Sequence, residues 1–346
     1  MATHVGQEFE AADTDGGGVS RRDMLKGLGV GAVAAGLGLG PNVQLVAAQS
    51  SDVMDKVSAF YRLKVGDLEV TVINDGYLPF TAAMLSVNAP EDERTALLEQ
   101  YHLPTDLAPL TMSTLLIRSS DRLVLVDTGR RLTAEGDALS GLLGDESGKL
   151  LATLDALGIH REDITDVLFS HYHPDHVGGA SLDGEISFPN AQHYIAQVEW
   201  DFMQSDSIPE ELAPIAAYAR DKLQPIIAND GQLAFFGDEE EVIPGIQAWF
   251  TPGHSTGHHA LLIASNGQQL MYTGDTVYHS VFSVQKPDWY GFADELEDEV
   301  KAVETRHRML ERVADEQIPV VVFHFPFPGI GTITRDGSAF RYTPTG

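Results

Sequence analysis

The chain has 346 residues, with 22 Lys and Arg against 51 Asp and Glu, so its formal net charge is −29; 43% of residues are hydrophobic and none is cysteine. That apolar share suits a folded chain long enough to bury a large core, which excludes wholesale disorder. The missing cysteine removes disulfides, thiolate metal sites, iron–sulfur clusters and thiol nucleophiles, and the acidic excess disfavours nucleic acid or an anionic membrane as a partner.

In chain order, Ser20-Arg21-Arg22-Asp23-Met24-Leu25-Lys26 comes first and leads into an uncharged stretch from Gly27 to Ser51. Six glycines between Gly27 and Gly40 make that stretch a poor membrane span, because each costs a helix about 1 kcal/mol relative to alanine. A twin arginine, a mildly apolar run and the small residues Val46-Ala47-Ala48 resemble a twin-arginine export signal. Residues 1–48 are therefore read as a signal removed near Ala48. Residues 49–346 are read as one domain, exported through the twin-arginine machinery to the periplasm or beyond, with no stable membrane insertion. That body keeps a charge of −27, and only seven of the basic residues of the whole chain are lysine, a surface suited to salty surroundings.

Leu68–Ile73, Thr114–Arg118 and Leu123–Val126 are short aliphatic runs bounded by turn residues such as Asn74-Asp75-Gly76, and they predict strands. Leu150, Leu151, Leu154 and Leu157 recur at helical spacing before the stop Gly158. Val167–Phe169, Gln247–Phe250, Ala260–Ile263, Gln269–Tyr272 and Val320–Phe323 read as further strands, and Ala293–Val313 as one long amphipathic helix. The order suggests an α/β domain of two similar halves, each a mixed sheet backed by helices. No short period points to a solenoid.

The strand at Val167–Phe169 runs into Ser170-His171-Tyr172-His173-Pro174-Asp175-His176. In extended backbone His171 and His173 face the same side and can grip one cation. After the turn forced by Pro174, Asp175 and His176 can face a neighbouring point, ready for a second. Thr251-Pro252-Gly253-His254, Thr273-Gly274-Asp275 and Phe323-His324-Phe325 each follow a predicted strand, where α/β proteins gather their sites. A solvated loop rarely carries three histidines and an aspartate within six residues.

From these motifs the chain is identified as resembling the metallo-β-lactamase superfamily, whose dinuclear hydrolases share the order HxHxDH, His, Asp, His. The likeness spans roughly Leu63 to Thr343 and includes Val126-Asp127-Thr128-Gly129. The stretches His171–Gly179, Phe188-Pro189-Asn190-Ala191, Pro252–His258 and His324–Gly331, and the ending Phe340-Arg341-Tyr342, are most similar to the methyl parathion hydrolase group of exported esterases and lactonases. The resemblance implies a four-layer αβ/βα sandwich of two mixed sheets with helices outside. It implies two divalent metal ions, Zn²⁺ first, with Mn²⁺, Co²⁺ or Fe also suited to nitrogen and carboxylate ligands. His171, His173 and His254 would hold one ion and Asp175, His176 and His324 the other, with Asp275 bridging both. Ser170, where many members have threonine, and His258 are expected behind the ligands, and Asp127 is expected to brace the histidine loop.

The implied chemistry is hydrolysis of an ester, lactone or phosphotriester by a hydroxide shared between the ions. Asp175 and Asp275 orient and partly neutralise the cluster, and His258 supports the catalytic group. Two dications against two carboxylates and a hydroxide leave a small positive charge, which admits a small neutral or weakly charged ester despite the acidic surface. Aromatic residues at Glu199–Met203, Phe282, Trp289–Phe292 and Phe325–Phe327 lie near or between the ligand segments, about half of them expected at the mouth and half in ordinary core. Ordinary structural roles are expected for His193, His259 and His279. The alternatives are an acyl-homoserine lactone lactonase with the same ligands and a metal-binding protein without catalysis; a homodimer is left open.

Overall fold

The computed structural model describes residues 43–44, 60–131, 139–144 and 146–345. The segment read as an export signal lies outside them, apart from Val43–Gln44. The strands are β1 Val43–Gln44, β2 Phe60–Val65, β3 Leu68–Leu78, β4 Leu110–Arg118, β5 Leu123–Val126, β6 Asp166–Leu168, β7 Ser181–Leu182, β8 Glu185–Ile186, β9 Gln192–Ala196, β10 Leu233–Phe236, β11 Glu241–Ile243, β12 Ile246–Phe250, β13 His259–Ser265, β14 Gln268–Tyr272, β15 Val320–Val321, β16 Ile330–Asp336 and β17 Ala339–Pro344. The helices are α1 Glu91–Gln100, α2 Ser140–Leu143, α3 Leu150–Ala156, α4 Pro174–Val177, α5 Gln197–Met203, α6 Ala213–Ala228, α7 Phe282–Gln285, α8 Phe292–Glu297 and α9 Glu299–Asp315.

One sheet runs β1-β2-β3-β4-β5-β6-β9-β10, and the other runs β11 to β17 in sequence order. β5, β6, β9 and β10 pair in parallel at one end of the first sheet. In the second only β14 and β15 are parallel, so both sheets are mixed.

Side-chain alternation sorts the apolar residues into layers. Val70, Val72, Leu115, Ile117, Val124 and Val126 of the first sheet share one core with Ala248, Leu261, Ile263, Tyr272 and Val321 of the second. Their neighbours Leu116, Leu123 and Leu125 point the other way, onto Leu150 and Leu154 of α3 and Leu223 and Ile226 of α6. Ala260, Leu262, Met271 and Val320 likewise cover Met309, Leu310 and Val313 of α9. The result is helix, sheet, sheet, helix, the expected αβ/βα sandwich. Among the described residues no helix is long and apolar enough to cross a membrane.

The long helix expected over Ala293–Val313 is two helices. Asp298 breaks it at φ −154° and caps α9, its side chain accepting the backbone N–H of Lys301 at 2.9 Å. An aspartate with its own oxygen offers the backbone an alternative to continued helix. The break leaves Asp294 and Glu297 facing the catalytic end rather than continuing the solvent face of α9.

Candidate metal centre

Every segment of the predicted constellation leaves the same end of the sandwich. His171 and His173 follow β6, and Pro174 then starts α4 at its first position, where a missing N–H is harmless. Asp175 and His176 thus sit in the first turn of a helix whose entry is clamped. Thr128 donates to the His176 carbonyl from both its N–H, at 2.7 Å, and its hydroxyl, at 2.8 Å. Gly179 permits this approach, since a Cβ there would lie 2.1 Å from the Thr128 carbonyl oxygen. His254 lies in the loop between β12 and β13, Asp275 follows β14 and His324 follows β15.

All seven side chains converge and are buried. Donor atoms of His171, His173 and His254 form one group within 4.8 Å of one another, and those of Asp175, His176, Asp275 and His324 form a second. Asp275 reaches both: its Oδ2 lies 3.2 Å from His254 Nε2 and 2.9 Å from His324 Nε2. Asp175 Oδ2 is 3.3 Å from His324 Nε2 and 3.5 Å from His176 Nε2. Four inward atoms, His171 Nε2, Asp175 Oδ2, His176 Nε2 and Asp275 Oδ1, are buried without a hydrogen-bond partner among the described residues. Leaving such atoms unpaired is costly, and two cations would satisfy all four, so this donor set fits a dinuclear centre.

The outer nitrogen of each imidazole is also spoken for, which fixes which nitrogen faces inward. His176 Nδ1 donates to Asp127 at 2.8 Å, His254 Nδ1 to Asp294 at 2.9 Å and His324 Nδ1 to the Thr111 carbonyl at 2.8 Å. His171 Nδ1 is 3.0 Å from the Ser170 hydroxyl, and His173 Nε2 faces Glu297 at 3.7 Å. Asp127 braces the histidine loop as anticipated. Its carboxylate accepts the Ser170 N–H at 2.8 Å, the Ser170 hydroxyl at 2.7 Å and the Tyr272 hydroxyl at 2.6 Å. Its own backbone takes a left-handed φ of +56°, a conformation that these bonds over-determine.

His258 does not reach the cleft. Its Nε2 accepts the Asp275 backbone N–H at 2.9 Å and its Nδ1 is 2.7 Å from the Thr251 hydroxyl, so it positions Asp275 rather than touching a substrate. His193, His259 and His279 are buried away from the metal groups. His259 donates to the Gly257 carbonyl at 2.8 Å, while His279 Nδ1 accepts the backbone N–H of Phe282 at 3.1 Å.

Burial works against charge on every ring, and it holds His171 and His258 well below the ordinary histidine range. For His254 and His324 the carboxylates outweigh burial. Asp275 and Asp294 push His254 up to about 10, and Asp275 with Asp175 pushes His324 up to about 9. Against its own burial, Asp175 is held down to about 2 by His176 and His324. A folded pKa above the unfolded value stabilises below the unfolded value, and that stability fades as pH climbs through the folded one. Chelator-treated protein should therefore lose melting temperature between pH 6.5 and 10. Cation-loaded protein should not follow, because binding needs deprotonated ligands and strengthens with pH. Parallel melts with and without chelator check this; identical pH profiles would contradict it.

The floor formed by His173, Asp175, His254, Asp275 and His324 opens into a cleft. Its walls are mostly apolar, with Leu78, Phe80, Leu85, Leu110, Leu212 and Phe292 prominent, and among the described residues its carboxylates and imidazoles are Asp294 and the five donors of the floor. Phe80 meets Phe292 edge to face, centroids 5.3 Å apart. Most of the aromatics near the ligand segments in sequence are elsewhere: Phe282, Trp289 and Phe325 are buried in the cores, and Trp200 and Phe202 pack beneath the first sheet. Of that set Phe292 lines the cleft. The remaining walls include residues 78, 80, 85, 110, 139, 143, 212 and 215, whose leucines look like ordinary core in the sequence. Asp294, Glu297 and Tyr278 went unmarked because nothing local separates an inward acid or tyrosine from an exposed one.

Residues 109–306, more than half of the chain, match the profile of the Metallo-beta-lactamase superfamily. The chain belongs to that superfamily. It is a metal-dependent hydrolase of this fold, and its relatives agree. An N-acyl homoserine lactonase of Bacillus cereus is 28% identical over 231 residues, covering 64% of this chain and 83% of that enzyme. The lactonase AttM of Agrobacterium fabrum is 27% identical over 179 residues, covering 49% and 62%. The structure of AidC, a dizinc quorum-quenching lactonase in complex with a product, superposes with a TM-score of 0.76 at 27% identity, covering 84% of this chain and 99% of that one. A structure of the hydrolase AbOPH, in the beta lactamase superfamily, gives 0.74 at 25% identity, covering 84% and 98%. The likeness to the methyl parathion hydrolase group continues to rest on the sequence motifs.

Proposed function

We propose that this superfamily member opens the lactone ring of N-acyl homoserine lactones, using two divalent cations with zinc preferred, and acts outside the cytoplasm after twin-arginine export. The observation that carries the reading is the two-group donor cluster at the floor of a largely apolar cleft that, among the described residues, is lined by no Lys or Arg. Such a cleft suits a neutral substrate with a hydrocarbon arm and offers nothing to hold an anionic one away from the floor. The lactonase relatives supply the substrate class.

Held by these residues, the cations would supply Lewis acidity and lower the pKa of solvent between them. The chain does the rest. Asp275 spans both groups, Asp175 completes the second, and Asp127, Asp294 and the Thr111 carbonyl keep the imidazoles turned inward. Leu78, Phe80, Leu85 and Phe292 would take the acyl arm and displace water from it. Tyr278, lining the cleft, donates its hydroxyl to Asp294 at 3.2 Å and stands beside His254 with ring centroids 6.3 Å apart.

A second reading, hydrolysis of aryl phosphotriesters, draws on the Pro252–His258 and His324–Gly331 motifs and the same largely apolar cleft. A panel of N-hexanoyl homoserine lactone, a simple lactone, an aryl ester, an aryl phosphotriester and a β-lactam separates the two. The expected result is the highest kcat/KM for the acyl-homoserine lactone. A dominant phosphotriesterase activity would move the assignment to the second reading. No turnover of any substrate by fully metallated protein would leave a metal-binding protein without catalysis.

A further inference from the structure

Glu199, on α5, has no part in the cleft, yet it is fully buried and all its partners belong to ligand-bearing loops. Its Oε1 accepts the backbone N–H of Tyr172 at 3.0 Å, between the ligand positions 171 and 173, and the Ser255 hydroxyl at 2.5 Å. Its Oε2 accepts the backbone N–H of Gly257 at 2.5 Å. The carboxylate thus joins the His171-Tyr172-His173 segment to the loop carrying His254, segments more than eighty residues apart in sequence. Gly257 is shaped for this seat: a Cβ there would stand 2.5 Å from the Glu199 nitrogen. The far end of Tyr172 is anchored too, its hydroxyl donating to Glu297, the carboxylate that faces His173 Nε2.

We propose that Glu199 is a positioning residue for the three-histidine half of the metal centre, setting the separation of its two loops so that His171, His173 and His254 converge before a cation arrives. The inference rests on the dinuclear reading above and concerns one half of it. Among the described residues nothing comparable ties Glu199 to Asp175, His176 or His324; the His176 and His324 rings are set by Asp127 and the Thr111 carbonyl. Removing the carboxylate should therefore act on the two halves unequally. Supporting contacts of this kind typically change metal affinity by about 10–100-fold.

The test is a Co²⁺ titration of the full chain, with the visible absorption bands and a competing chelator read for each equivalent. Wild type, Glu199→Gln and Ser255→Ala are compared without substrate. Glutamine keeps the shape but turns an amide N–H₂ toward a donor. The expected result for E199Q is one equivalent held as in wild type and the other weakened about 10–100-fold, with a changed spectrum for that equivalent. S255A, which removes one of three donors and leaves Glu199, should weaken the same equivalent by a smaller factor. Wild-type affinity at both equivalents in folded E199Q, or equal weakening of both, would overturn the inference. If E199Q does not fold, an unchanged titration of S255A overturns it instead. Wild type that fails to bind two equivalents would contradict the dinuclear reading itself, which separates the two failures.

Discussion

Replacing Asp275 by alanine is expected to abolish hydrolysis of any substrate the enzyme turns over and to lower its metal content below two. The carboxylate lies 3.2 Å from His254 Nε2 of one group and 2.9 Å from His324 Nε2 of the other, so its loss loosens two sites at once. The backbone around it should hold, because its N–H is accepted by His258 and the preceding Gly274 sits at φ +49° against that ring. The effect is then loss of a charge and not of a loop. The expected fall in kcat/KM is more than about 10³-fold, beyond the 10²–10³ seen when one transition-state donor is removed. In the metal-free variant His254 and His324 also lose their main counter-charge, so chelator-treated D275A should melt earlier than chelator-treated wild type at pH 7. Steady-state rates, metal analysis and paired melts read all three. Unchanged turnover with two metals bound would remove Asp275 from its bridging place.

The largest effect on stability is expected from Arg306→Met. Arg306, on α9, is fully buried, and its guanidinium donates to the carbonyls of Thr276 at 3.1 Å, Pro287 at 3.1 Å and Trp289 at 2.7 Å while pairing with Asp294. It also lies over the Tyr278 ring, 5.0 Å from the centroid. Burial would raise Asp294, but Arg306 and then His254 hold it down to about 2, so the carboxylate stays charged at any working pH. Methionine fills much of the volume but leaves that charge and three carbonyls without their donor. Breaking a buried pair from one side costs about 3–5 kcal/mol. For a chain of this size that is a fall in melting temperature of roughly 10 °C. Lysine should rescue little, since one ammonium cannot reproduce the planar fork. Because Asp294 orients His254, the variant should lose activity as well as heat resistance. A melting temperature close to wild type would show that the Arg306–Asp294 pair is dispensable.

Much of the architecture was legible because strands announce themselves by alternation. Leu123–Val126 is found as read, and the β3, β4, β12, β13 and β14 runs differ from expectation mainly by extending further. The seven-donor set was legible for another reason: histidines and aspartates at strand ends, in this number and order, have few competing explanations. What stayed hidden depends on tertiary contact. Asp294 and Glu297 sit in an acidic stretch that reads as a solvated helix face, and the break at Asp298 that turns them inward is one residue long. Glu199 lies in a segment expected near the mouth, and its partners are two backbone N–H groups, 27 and 58 residues away, and the Ser255 hydroxyl. The cleft walls escaped notice because a leucine facing a cavity and one facing a core carry the same local signal.

The seven donors are arranged to hold two cations. Elemental analysis of the purified, folded chain after equilibration with Zn²⁺ and removal of excess tests it most directly. Two equivalents per chain are expected; fewer than one would rule out a dinuclear centre.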